Sequence, residues 1–304
     1  MVRKHTRRAA KAAYAISLGV AIVIGLIAAG AGTASPAAKP TVTIGTKNFT
    51  EQYVLGQLYK QALEAKGYKV VYKENIGNSE LIDTSIKSGK INFYPEYMGV
   101  IVTDLAKQAY PKTAAATYSA AKKWEETRGL TLLNRTPMTD TDNFVVLTKT
   151  ANKLGVKTIG DMKKVKSFSY GGFPECRTRI TCLLGLKNIY GLKQVKFVPL
   201  ASISVYTLLD EGKITGGDGF STDPQLQTGK YTILTDTKHI FGFQNVAPVV
   251  TKALAANADF AKVVNAVSAK VTTKAIAAMN KAVGVDKKSP AQVADAFLKA
   301  NHLK

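Results

Sequence analysis

Two α/β lobes joined by two crossings of the chain are the architecture that this 304-residue sequence predicts. Three observations predict it. Segments of helical periodicity alternate with short apolar runs, the opening reads as β-α-β-α-β, and a second α/β series begins after Thr139 and rejoins the first near Phe241. The 46% hydrophobic content suits packed cores, and the length is enough for each lobe to bury one of its own.

The elements follow in order. Val42 to Gly45 reads as a strand, and Thr50 as the polar cap of a helix whose apolar face is Val54, Leu55, Leu58, Tyr59, Ala62 and Leu63. Tyr68 to Tyr72 is the next strand, Ser79 to Lys87 a helix ending at Gly89, and Ile91 to Tyr94 the third strand. This order demands parallel strands with crossover helices. A helix near Thr113 to Arg128 leads to strands at Leu130 to Leu133 and Asn143 to Leu147. The second series has helices at Thr158 to Lys163, Arg179 to Tyr190 and Ser202 to Glu211. Its strands lie at Ser167 to Tyr170, Val195 to Val198, Ile214 to Phe220 and Tyr231 to Leu234. Val246 to Val250 returns the chain to the first lobe, and helices near Phe260 to Ala282 and Pro290 to Asn301 close it. The domain reading is thus 41–139 with 241–304 as lobe 1 and 140–240 as lobe 2. A ligand cleft is expected at the carboxyl ends of the strands.

Residues 1–40 are a separate unit. Arg3, Lys4, Arg7, Arg8 and Lys11 precede an uncharged stretch from Ala12 to Ala38, the pattern of an export signal with cleavage near Ala34. The stretch is also about as long as the ~20 residues that span a bilayer, so an uncleaved anchor is the alternative. Either way the protein is expected outside the cytoplasm, in the periplasm or on the outer face of the membrane. The only cysteines, Cys176 and Cys182, are expected to form a small-loop disulfide rather than a metal site or a redox pair. Neither a metal nor a cofactor is expected.

The formal charge is +21, with 42 basic and 21 acidic residues. Six of the basic residues and no acidic ones lie in the first forty, leaving +15. Its lysines are spread over predicted helices, a solvated surface and not the concentrated patch of a nucleic-acid binder. Enzyme chemistry finds little support. His5 lies in the leader and His302 at the end, so His239 stands alone, and the spacing of Glu51, Glu96, Glu175, Asp218 and Asp223 matches no hydrolase or transferase pattern.

Four segments carry a resemblance. They are Ile44-Gly45-Thr46-Lys47-Asn48-Phe49-Thr50-Glu51-Gln52, Tyr94-Pro95-Glu96-Tyr97-Met98-Gly99, Pro174-Glu175-Cys176-Arg177-Thr178-Arg179, and Thr222-Asp223-Pro224. In this order they resemble the glycine betaine/carnitine/choline-binding proteins of osmoprotectant ABC importers. The resemblance implies a two-lobed periplasmic-binding-protein fold, type II-like, closing on a quaternary ammonium, with ABC permease and ATPase subunits as partners and membrane association through the permease or the N-terminal segment. Tyr97, Phe144 and Phe220, with Phe243 or Gln244, resemble the family's aromatic cage, whose faces hold a cation that has no hydrogen to donate. Arg179 resembles its carboxylate-binding arginine, and Lys47 and Asn48 could add donors beside a helix N-terminus. Where family members carry tyrosine, this chain has Phe144 and Gln244, which points away from simple glycine betaine toward choline, carnitine or ergothioneine. The alternatives to a transporter component are a membrane-anchored sensor or accessory binding protein, and an enzyme on the same scaffold.

Overall fold

The computed structural model describes residues 39–200 and 203–304. The expected signal or anchor falls on residues 1–38, outside the described residues, as does the expected helix start at Ser202. Among the described residues no helix is long and apolar enough to cross a membrane.

The chain builds two five-stranded sheets. It opens with β1 (Val42–Lys47), helix α1 (Thr50–Ala65), β2 (Val70–Gly77), helix α2 (Ser79–Lys87), β3 (Phe93–Tyr97) and β4 (Leu130–Leu132). It then crosses to β5 (Asp142–Leu147), β6 (Phe168–Gly172), β7 (Val195–Pro199), β8 (Gly216–Phe220) and β9 (Tyr231–Ile233), and returns as β10 (Val246–Thr251). The first sheet runs β2-β1-β3-β10-β4 and the second β7-β6-β8-β5-β9. β1 pairs in parallel with β2 and β3, as the β-α-β-α-β reading requires, while β10 is antiparallel to β3 and β4. Only two passages join the sheets, and they are bonded to one another: the Asp140 amide donates to the Gln244 carbonyl at 3.2 Å, and Asn245 Nδ2 to the Met138 carbonyl at 2.8 Å.

Burial accounts for the first lobe. Val54, Leu55, Leu58, Tyr59, Ala62 and Leu63 of α1 are fully buried, packed with Phe260, Val264 and Val267 of helix Ala258–Lys270 and with Leu298 of helix Pro290–Ala300. These are the residues that helical period assigned to one face. The cap did not follow the expectation. Thr50 is the first helical residue, and Phe49 stands at the N-cap in extended backbone (φ −146°) with no side-chain bond. α2 is capped by Asn78, whose Oδ1 accepts from the Leu81 amide at 3.1 Å.

The expected helix from Arg179 to Tyr190 is also corrected. A 3₁₀ turn, Pro174–Thr178, comes first, Arg179 is extended (φ −93°, ψ 132°), and α-helix covers only Leu183–Asn188. The Cys176–Cys182 disulfide explains the break: it holds the two Cα atoms 5.2 Å apart, whereas six residues of helix rise about 9 Å.

Candidate functional site

Lys47 ends β1, Tyr97 ends β3 and Phe220 ends β8, while Asp142 begins the antiparallel β5. All four therefore open on the gap between the sheets. The gap holds two adjoining chambers, of about 60 and 260 Å³, that share Phe49, Asp140, Phe173, Asp218 and Phe220 as walls.

Four rings line up there. Tyr97 and Phe49 have centroids 6.3 Å apart, Phe49 and Phe220 6.0 Å with planes within 4°, and Phe220 and Phe173 6.4 Å. Two rings come from each lobe, so the row bridges the cleft. Phe49 and Phe173 were not among the residues singled out from sequence, although Phe49 lies inside one of the motif segments. Their signal was present for Phe49, an aromatic one residue before a helix start, and weak for Phe173, which precedes a proline turn.

Of the sequence-selected residues, Lys47, Asn48, Tyr97, Arg179, Phe220 and Gln244 line the smaller chamber. Phe144 does not. It is fully buried in the core of the second lobe against Phe168 and Tyr170, at centroid distances of 6.0 and 4.8 Å. Its ring lies on Gly216, where an added Cβ would come within 2.3 Å of it. The reason is what covers the strand: alternation puts Asp142 and Phe144 on one face of β5, but the second-lobe core closes over Phe144 and only Asp142 reaches the cleft. Phe243 is 37% exposed and lines neither chamber.

The basic residues are engaged by the protein's own acids. The Lys47 ammonium pairs with Glu96, donates to Ser79 Oγ at 3.2 Å, and lies 4.2 Å from the Tyr97 ring centroid. Burial pushes its pKa below the ordinary lysine value, and the Glu96 carboxylate opposes that shift. Arg179, from the second lobe, donates to Glu80 Oε2 at 3.1 Å, and its Nε lies 3.7 Å from Asp104. Burial works to lower its pKa, but Asp104, Glu80, Glu175 and Asp142 together raise it. A second cross-cleft network centres on Glu51, which accepts from the hydroxyls of Tyr97 and Thr222 and from Asn280 Nδ2, each at 2.7 Å.

The acids respond to burial. Asp104, Asp142 and Asp223 are pushed up to about 6, and Glu125 to about 7, in each case chiefly by loss of water around the carboxylate. Asp140 and Asp218 are pushed well above the ordinary carboxylate range, by burial and then by neighbouring carboxylates, Glu51 for the former and Asp142 for the latter. An acid whose folded pKa lies above its unfolded one contributes stability that is present below the unfolded value and lost as pH rises through the folded one. The ligand-free protein is accordingly expected to melt several degrees higher at pH 5 than at pH 7.5; a melting temperature that falls over that acidification contradicts these shifts.

Cys176 and Cys182 lie beside Asp218, three potential metal donors within 4.8 Å. Their sulfurs are joined in a disulfide and offer no thiolate, so the group is part of the cleft wall.

Comparison with known proteins identifies the family. A glycine-betaine-binding protein of Pseudomonas aeruginosa is 28% identical over 292 residues, covering 92% of both chains. The carnitine transport binding protein OpuCC of Listeria monocytogenes is 24% identical over 270 residues, covering 87% of this chain and 88% of that one. Among solved structures, a glycine betaine/carnitine/choline ABC transporter protein superposes with a TM-score of 0.69 at 24% identity, over 86% of this chain and 99% of the other. The family model described as the substrate binding domain of ABC-type glycine betaine transport system matches residues 40–300. The chain therefore belongs to that family of transport substrate-binding domains, which are not enzymes.

Proposed function

We propose that this protein captures a trimethylammonium solute outside the cytoplasmic membrane and delivers it to an ABC permease and its ATPase. The row of Tyr97, Phe49, Phe220 and Phe173 across the cleft is the observation that carries the reading. A quaternary nitrogen can be held only by electrostatics and contact, and each ring face contributes roughly 0.5–2 kcal/mol once water is excluded. Because the rings come from both lobes, a bound cation bridges them and favours the closed state over the open one. Tyr97, Phe220, Phe49 and Phe173 are the proposed cage, with Lys47, Asn48, Arg179 and Gln244 around it. Phe144 lies outside the cage, in the second-lobe core. Residues 1–40 supply export, as a cleaved signal or as a tether.

Thermal unfolding tests this. A ligand at about one hundred times its Kd stabilises the folded state by about 2.7 kcal/mol, which for a protein of this size raises Tm by roughly 5–10 °C. At least one of glycine betaine, choline, carnitine and ergothioneine is expected to do so at millimolar concentration. No shift with any of them overturns the proposal.

A further inference from the structure

We propose that the end of the second lobe facing away from the cleft docks a linear polyanion with repeating phosphate charges, through Lys157, Lys163, Lys164, Lys166, Lys193 and Lys238. The proposal uses the placement outside the cytoplasm given above and is independent of what the cleft binds.

These lysines come from separate segments of sequence, and only the fold gathers them. β6 runs parallel to β7 and to β8, whose last residue, Phe220, opens on the cleft. The starts of β6 and β7, at Phe168 and Val195, therefore lie at the opposite end, and Lys166 and Lys193 stand just before them. Hydrogen bonds tie the other four to the same end. Gln194 Nε2 donates to the Met162 and Val165 carbonyls, both at 3.1 Å, which joins the segment of Lys163, Lys164 and Lys166 to that of Lys193. The Thr235 amide donates to the Lys157 carbonyl at 3.0 Å. Lys238 donates through its amide to the Tyr190 hydroxyl at 2.8 Å and through Nζ to the Ile189 carbonyl at 2.6 Å.

The charge gathered there is uncompensated. All six lysines are exposed, and among the described residues the second lobe's ion pairs belong to Arg179, Lys213 and Lys230. Lys164 and Lys238 reach only backbone carbonyls, which carry no net charge. The two acids at this end are turned to the protein: Asp161 accepts from the Lys157 and Thr158 amides, and Asp236 from the Tyr190 hydroxyl and the Phe241 amide. Six lysines against these two aspartates leave a net charge of +4. A single exposed ion pair is worth little, but a chain of closely spaced phosphates meets several lysines at once and releases its counterions together. Position favours a polymer over a bilayer. The described chain enters at Lys39, beside the start of β1, at the end of the first lobe that also faces away from the cleft. A tether there sets the lysine patch at the far end of the molecule from the membrane.

Acylation of surface amines read by mass spectrometry, on the purified full chain with and without inorganic polyphosphate, tests this. At low salt the six lysines are expected to be protected about threefold or more, and the exposed Lys262, Lys270 and Lys274 of the first lobe left unprotected. Uniform protection, or none, overturns the proposal. Phosphatidylglycerol vesicles at the same phosphate concentration are expected to protect the six less; equal protection identifies a bilayer as the partner and overturns the choice of a polymer. In titrations, polyphosphate affinity is expected to fall about a hundredfold between roughly 50 and 200 mM salt. Lys163→Glu with Lys166→Glu and Lys193→Glu is expected to weaken it about tenfold at low salt, and the same charge reversal at Lys262, Lys270 and Lys274 less than about threefold. Equal loss in the two triple variants, or an affinity indifferent to salt, also overturns the proposal. Protection of the unaltered chain decides it whether or not either variant folds.

Discussion

Replacing Phe144 by alanine is expected to lower the unfolding free energy by about 3–5 kcal/mol, the range for truncating a buried phenylalanine. The ring is fully buried, packs on Phe168 and Tyr170, and fills the space above Gly216, so its removal leaves a cavity that the rigid β8 backbone cannot close. The folded fraction should keep its affinity for a quaternary ammonium within a few-fold. Phe220→Ala is expected to do the opposite, because Phe220 is partly exposed, stacks on Phe49 across the cleft and lies beside Phe173 of its own lobe. Its loss should leave stability within about 1 kcal/mol and weaken binding about tenfold or more. Urea denaturation and ligand titration of both variants check this. A stable Phe144→Ala protein that no longer binds would return that ring to the cage.

Lys47→Met is the second large effect. Lys47 is 4% exposed and Glu96 fully buried, so removing the ammonium leaves a carboxylate that already has one oxygen without a partner. Breaking such a pair costs about 3–5 kcal/mol, mostly as the penalty of the stranded charge. The double variant Lys47→Met with Glu96→Gln is therefore expected to recover much of that loss, since amide and thioether carry no charge into the core. If Lys47 acted chiefly on the ligand, Lys47→Met would spare stability and abolish binding, and the double variant would not differ from it.

The pattern of local signals explains what could be read in advance. Helix α1 was legible because six apolar residues at helical spacing can be buried on one side only, and α2 because Ser79 and Gly89 mark its ends. The β-α-β order required a parallel first sheet. The helix expected at Arg179 failed because a covalent link between Cys176 and Cys182 overrides helical propensity in the intervening residues. Phe144 was misplaced because strand alternation alone does not say what covers a face; here the second-lobe core, with Phe168 and Tyr170 against the ring, closes over it.

By itself the amino-acid sequence determined the α/β class, the parallel order of the first three strands, the second α/β series and the motif segments that bring Lys47 and Tyr97 to strand ends and carry Arg179. These follow from period, turn chemistry and residue type, all of which act over a few residues. Only the tertiary structure decided that Phe49 and Phe173 complete the row of rings, that Glu96, Glu80 and Asp104 take up the available cations, and that Asp142 is left facing the cleft. Those are pairings between residues tens of positions apart, several of them on opposite lobes, and burial and charge compensation at such distances depend on where the whole chain folds.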